Sequence, residues 1–295
     1  MAKKLFNTKI GLALGGGAAK GIAHVGVLKA LEDNNVDIRY IAGTSVGAIV
    51  AALFAFNVDV ETIGGLAKRL TMSKVTSFKL SKTGFFSTES LRDLMVEYLG
   101  EVNIEEANIP LSIVATDIKT GEEIILTHGS VADAVCASAA IPGIYIPVQI
   151  GTRTLVDGGL VQNVPIEALQ AMGAGVTIAS HLNSASHYSD ISHVLDVMRN
   201  AFEIAVSHHT RDQLESADLL ISMDVSNFSL RDNTDRYDEL FAVGYNTATQ
   251  QLNKLVWYKK RNVLLYPWRA VKELAPFKVP EAVKRLTLEK NSVDK

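Results

Sequence analysis

The feature that most restricts this chain is an alternation of short apolar, strand-like runs with segments of helical period. "KIGLALG" reads as a buried strand, and residues 20–33, with Ile22, Val25, Leu28 and Leu31 at helical spacing, read as a helix. "IRYIAG" and "VGAIVAALFAF" repeat the pair. After the polar connection "SKTGFFSTES" a helix is expected over 88–99, with Ser87 or Thr88 as N-cap. "PLSIVATDI" and "EEIILTH" look like strands joined by the turn "KTGE", residues 131–140 look helical, and "IYIPVQI" and "TRTLVDGG" extended. A helix over 163–172 with Pro165 in its first turn, the strand "GVTIAS", a long helix to about Ala217, the strand "DLLISMD" and a helix from about Asp235 complete the series. Such alternation predicts an α/β layer architecture around a mostly parallel sheet.

Composition agrees. With 295 residues, 47% hydrophobic and 21% charged, the chain can bury a sizeable core. A single cysteine, Cys136, excludes an intrachain disulfide and an all-cysteine metal cluster, and between Val135 and Ala137 it reads as a small buried hydrophobe. The N-terminal "MAKKLFNTKIGLALGGGAAK" imitates a secretion signal, but its apolar part is short and Gly-rich. "IAGTSVGAIVAALFAF", residues 41–56, carries no charge, yet it is shorter than the roughly 20 apolar residues of a membrane span and opens on glycine, threonine and serine.

Charge is unevenly spread. Residues 254–295 hold 11 Lys or Arg against 4 Asp or Glu, a net of +7, which leaves −10 on residues 1–253 out of a total of −3. Both tryptophans, Trp257 and Trp268, lie in that tail with Tyr258, Tyr266 and Phe277. One domain is therefore expected over 5–253, with 254–295 as a basic, aromatic-containing C-terminal extension. Cations mixed with amphipathic rings suit peripheral contact with an anionic membrane, but the favoured reading is a solvated helix whose aromatics pack on the body. No nucleic-acid motif accompanies the charge, so nucleic acid is not an expected partner.

Three motifs carry chemistry. Gly43-Thr44-Ser45-Val46-Gly47 has G-x-S-x-G spacing between an expected strand and an expected helix, the context in which a sharp turn projects a serine hydroxyl at a helix N-terminus. Alone, the pentapeptide reads equally as a serine N-cap between glycines. Gly15, Gly16 and Gly17, followed by Ala18, Ala19, Lys20 and Gly21, occupy another strand-to-helix turn whose backbone N–H groups could receive a phosphate or an oxyanion. A P-loop would need Gly-Lys-Ser/Thr, and a dinucleotide fingerprint would need glycine at Ala18. Asp157, Gly158 and Gly159 follow the strand "TRTLV", where a carboxylate in a water-poor pocket can act as base.

Together these pieces resemble the patatin-like phospholipase family, the bacterial members in particular. The matching stretches are "LALGGGAAKGIAHVGVLKALE", "IAGTSVGAIVAAL", "TGFFSTESL", "PLSIVATDIKTGE", "ASAAIPGIYIPV" and "LVDGGLVQNVPIEAL", in the family's order, from about Lys9 to about residue 250. The resemblance implies a three-layer α/β/α domain and a serine acyl hydrolase with Ser45 as nucleophile, Asp157 as base and Gly15, Gly16 and Gly17 as the oxyanion hole. Lys20, Gly21, Gly43, Gly47, Gly158 and Gly159 support these motifs. It implies a lipid or acyl-ester substrate, no cofactor and no metal. A cytoplasmic setting is expected, with the basic segment a candidate for peripheral membrane contact. Lys20 stands where many members have Arg, and Ala18 where many have a fourth glycine.

The alternative function is a non-catalytic nucleotide or phosphate binder using the glycine loop. An alternative triad would add His181, which follows the strand "GVTIAS", to Ser45 and Asp157. His24 reads as a helix-face or core residue. His208 and His209 are adjacent and diverge by about 100° on a helix, and His181, His187 and His193 lack the spacing of a helical zinc pair. Phe85, Phe86, Ile141, Ile144 and Ile146 are candidates to border an acyl groove.

Overall fold

The computed structural model describes residues 9–17, 20–69, 77–78, 83–183, 191–228 and 235–260, with side chains described as far as Asn253. The body forms one compact unit to Val256. The expected basic extension, its tryptophans included, lies outside the described side chains, as do Ala18 and His187.

Five strands run parallel in the order β10 (Leu219–Asp224), β9 (Val176–Asn183), β1 (Ile10–Leu14), β2 (Ile38–Thr44) and β5 (Leu111–Asp117). Against β5 run β6 (Glu123–Leu126) and β8 (Arg153–Asp157), both antiparallel, and β8 pairs in turn with the short β7 (Val148–Ile150). A separate two-stranded ribbon joins β3 (Ser77–Phe78) to β4 (Phe86–Ser87).

Strand alternation explains the layers. Leu12, Leu14, Ile41, Ile113 and Ile178 point to one face and join a large core with α1 (Ile22–Asp33), α2 (Val46–Ala55), α3 (Val60–Arg69), α4 (Glu89–Leu99), α5 (Val131–Ser138) and part of α8 (Tyr237–Lys260). Their neighbours Ala13, Ala42, Val114 and Ala179 point to the other face, where α6 (Ile166–Ala171) seats Ile166 and Leu169. Small residues there let a short helix lie close: a Cβ on Gly11 would stand 2.9 Å from Ala174 Cβ. A sheet buried on both faces is what its nearly unbroken apolar strands require. The remaining long helix, α7 (Val194–Leu214), crosses over the end of β8.

Two sequence expectations are corrected in detail. "IYIPVQI" is extended only from Val148, because Pro142 and Pro147 lack the N–H a ladder needs and Gly143 turns with φ of +76°. The helix expected over 163–172 begins at Ile166, since Asn163 and Val164 direct their N–H groups to the Gln213 side chain instead.

Candidate active site

β2 ends at Thr44 and α2 begins at Val46, so Ser45 alone makes the turn, with φ of 54° and ψ of −125°. That region is costly for a residue with a Cβ. Two glycines make the turn sterically feasible: a Cβ on Gly43 would lie 2.5 Å from Ala48 Cα, and one on Gly47 would lie 2.1 Å from Leu14 O. The Ser45 side chain does not cap the helix, although the residue is only 8% exposed. A buried hydroxyl without a structural task is available for chemistry.

The pairing of β5 brings Asp157 to this turn. Residues 113 and 114 of β5 pair with both β2 and β6, and residues 115 and 116 with both β6 and β8. β2 and β8 thus share one edge of β5, running toward each other. Thr44 is registered on Val114 and Asp157 on Ala115, adjacent rungs, so the two strand ends meet head on. Thr44 Oγ1 donates to Gln162 O and Thr116 Oγ1 to Asp157 O, tying the ends down.

Asp157 is 1% exposed. Its Oδ1 accepts the Gly159 N–H at 2.8 Å, while its Oδ2 is buried with no hydrogen-bond partner. Burial pushes its pKa up to about 7; the Ser45 hydroxyl and the Gly159 N–H pull the other way without overcoming it. The hydroxyl therefore stands beside the carboxyl whose titration it biases. Above the pair, α7 keeps water out: a Cβ on Gly159 would touch Val206 at 3.3 Å and Phe202 at 3.5 Å.

The glycine loop adjoins the elbow. A Cβ on Gly16 would stand 3.3 Å from Ser45 Cβ, and one on Gly21 2.4 Å from Val46 Cγ2. Its donors are not equivalent. Gly15 N–H is spent on Ser180 O and Gly16 N–H on Asn163 O, whereas Gly17 N–H donates to none of the described residues. Lys20, half-buried near Glu203 and Asp224, has its pKa lowered by desolvation against the pull of those carboxylates.

His24 proves to be a core residue with a defined task. Its Nε2 lies 2.8 Å from Gly15 O and its Nδ1 2.8 Å from Ser180 Oγ. A carbonyl only accepts, so Nε2 carries the proton and Ser180 donates to Nδ1. Burial drives its pKa down to about 4, keeping it neutral. His181 is also held near 4 by burial, and its Nδ1 lies 3.2 Å from Ser222 Oγ, with no bond to Ser45 or Asp157 among the described residues. The alternative triad with His181 is thus not assembled. His208 and His209 meet edge to face at 5.6 Å on the exposed side of α7. Among the described residues no three His, Cys, Asp or Glu cluster as metal ligands, and no helix is long and apolar enough to cross a membrane. Cys136 is buried with its thiol pushed up to about 12 by desolvation, and Sγ donates to Thr88 O.

Sequence reasoning missed Ser138 and Asn163, which hold the elbow and the loop. Among the groove candidates, Ile144 is buried with Tyr145 in a small cluster against Phe86, Ile141 and Leu195, while Phe85 is 44% exposed.

A profile described as patatin-like phospholipase matches residues 12–169. An uncharacterized NTE family protein of Mycobacterium bovis is 35% identical over 180 residues, 60% of this chain and 50% of that protein. A lysophospholipase NTE1 of Pyricularia oryzae is 30% identical over 190 residues, 62% of this chain and 13% of that protein. The chain thus spans half the length of the Mycobacterium relative and less of the fungal one. VipD of Legionella pneumophila shares the fold at a TM-score of 0.51 with 14% identity, over 84% of this chain and 67% of that one.

Proposed function

Because this chain belongs to the patatin-like phospholipase family, we propose that it is a lipid acyl hydrolase in which Ser45 and Asp157 act as a dyad. The observation that carries the reading is the head-on meeting of β2 and β8, which sets a strained serine beside a buried carboxyl with a pKa near 7. A base matched to neutral pH is what proton transfer from a serine requires.

In the first half-reaction Asp157 Oδ2 takes the Ser45 proton while Oγ bonds to the ester carbonyl carbon. The oxyanion meets Gly17 N–H and the Val46 and Gly47 N–H groups that open α2, since the Ala48 and Ile49 N–H groups are already bonded to Ser45 O. Collapse breaks the bond to the alcohol, which leaves with the proton from Asp157. Water, deprotonated by Asp157, then attacks the acyl-enzyme; as the acyl bond breaks, Asp157 returns that proton to Ser45 Oγ, releasing the fatty acid and restoring both residues. Gly15 and Gly16 shape the loop in this scheme rather than donate. The commitment of their N–H groups also weighs against a phosphate-binding loop, the rival function.

The substrate is proposed to be a lipid ester met at a membrane surface, with residues 254–295 supplying basic contact to anionic lipid. Hydrolysis of a panel of lysophospholipids and phospholipids by wild type and Ser45→Ala tests the activity: release of fatty acid by wild type alone supports it, and equal release sinks it. Sedimentation with anionic liposomes tests the segment; a chain ending at Asn253 is expected to lose binding, and undiminished binding removes the role.

A further inference from the structure

We propose that Ser138 is a positioning residue for the reaction, holding the Ser45 elbow at its working distance from Asp157. This rests on the reading of Ser45 and Asp157 as the reacting pair. Ser138 is the last residue of α5 and is fully buried. Its Oγ accepts the Ser45 N–H at 2.8 Å and donates its own proton to Val114 O at 2.6 Å. Neither direction is open to exchange, since an N–H only donates and a carbonyl only accepts.

The placement matters because of what each partner is. Val114 is registered on Thr44, the last residue of β2, so the hydroxyl bridges elbow and sheet at the point where the strand leaves its ladder. Ser45 sits there in a conformation that the surrounding structure must enforce. Two residues on, Ala140 O accepts the Asp157 N–H at 2.9 Å. One short segment, 138–140, therefore grips the backbone of both halves of the dyad, and its only side-chain contribution to that grip is the Ser138 hydroxyl. Without it, the turn can relax toward an ordinary backbone, carrying Oγ away from Asp157 Oδ2.

The test is the rate at which a fluorophosphonate probe labels Ser45, measured on protein shown to be folded by circular dichroism. Ser138→Ala is expected to slow labelling roughly 10- to 100-fold, the scale of a sub-ångström to 1 Å displacement of a reacting group, with little change in the probe concentration giving half-maximal rate. Ser138→Thr, which keeps the hydroxyl, is expected to restore most of the rate. Should the alanine protein not fold, Ser138→Cys carries the comparison, because a thiol fills the space but hydrogen-bonds weakly. Labelling of a folded Ala or Cys variant at the wild-type rate, or equal slowing in folded Ser138→Thr, overturns the proposal while leaving the hydrolase reading intact. No labelling of wild type overturns both.

Discussion

Asp157→Asn is expected to make the protein both inactive and, above neutral pH, more stable. The carboxyl's pKa is raised from 3.8 to about 7 by burial, so ionising it inside the fold is unfavourable. For a group whose folded pKa is raised, the linked stability is fully present below about pH 4, declines as pH rises, and is lost once pH passes about 7. At about 1.36 kcal/mol per pKa unit, this shift corresponds to about 4 kcal/mol in all, of which about 2.7 kcal/mol falls between pH 5 and pH 8. Asparagine keeps an oxygen for the Gly159 N–H and cannot ionise, so the variant lacks that decline. Urea unfolding at pH 5 and pH 8 reads the difference directly: wild type should lose about 2.7 kcal/mol more than Asp157→Asn over that interval. Ester hydrolysis should fall by about 10²- to 10⁴-fold in the variant at pH 8, and by far less at pH 5, where the wild-type carboxyl is itself protonated. Parallel pH dependence of stability in the two proteins would refute the reasoning, because it would mean that burial does not perturb this carboxyl.

Backbone strain at the elbow predicts that Ser45→Gly is more stable than Ser45→Ala by about 1 kcal/mol, since glycine alone adopts φ of 54° freely; thermal melts of the two variants decide it. Gly47→Ala forces a Cβ against Leu14 O and should destabilise by about 3 kcal/mol or prevent folding, seen as a lowered melting temperature or loss of soluble protein. His24, held neutral with a pKa lowered to about 4, stabilises the fold above pH 6.5, and that stability is lost as pH falls toward 4. His24→Gln, which cannot titrate, should show a shallower decline in unfolding free energy over that interval; an equal decline contradicts the assigned burial of charge.

What the sequence made legible is what local chemistry encodes. Ser45, Asp157 and the glycine loop each announce themselves within a few residues, and the alternation of Leu12, Leu14, Ile41 and Ile113 with Ala13, Ala42 and Val114 is the layered sheet written in side-chain size. The missing parts depend on partners far along the chain. Ser138 lies in the apolar run "ASAAIPG" and reads as a helix residue, because the N–H it receives is 93 positions away. The direction of β8 was equally hidden: its residues fit a parallel or an antiparallel strand, and only pairing with β5 turns Asp157 toward Ser45. Gly15 and Gly16 show the limit of motif reading, since a glycine's openness says nothing about whether its N–H is already committed to Ser180 or Asn163.

The most direct test of the account is the pH dependence of fluorophosphonate labelling, with the adduct located by mass spectrometry. A single adduct on Ser45 is expected, absent in Ser45→Ala, forming at a rate that rises with pH to a plateau with its midpoint near 7, the pKa of Asp157. Asp157→Asn should remove that inflection and most of the rate. An adduct on another residue, or an unchanged inflection in Asp157→Asn, would contradict the dyad.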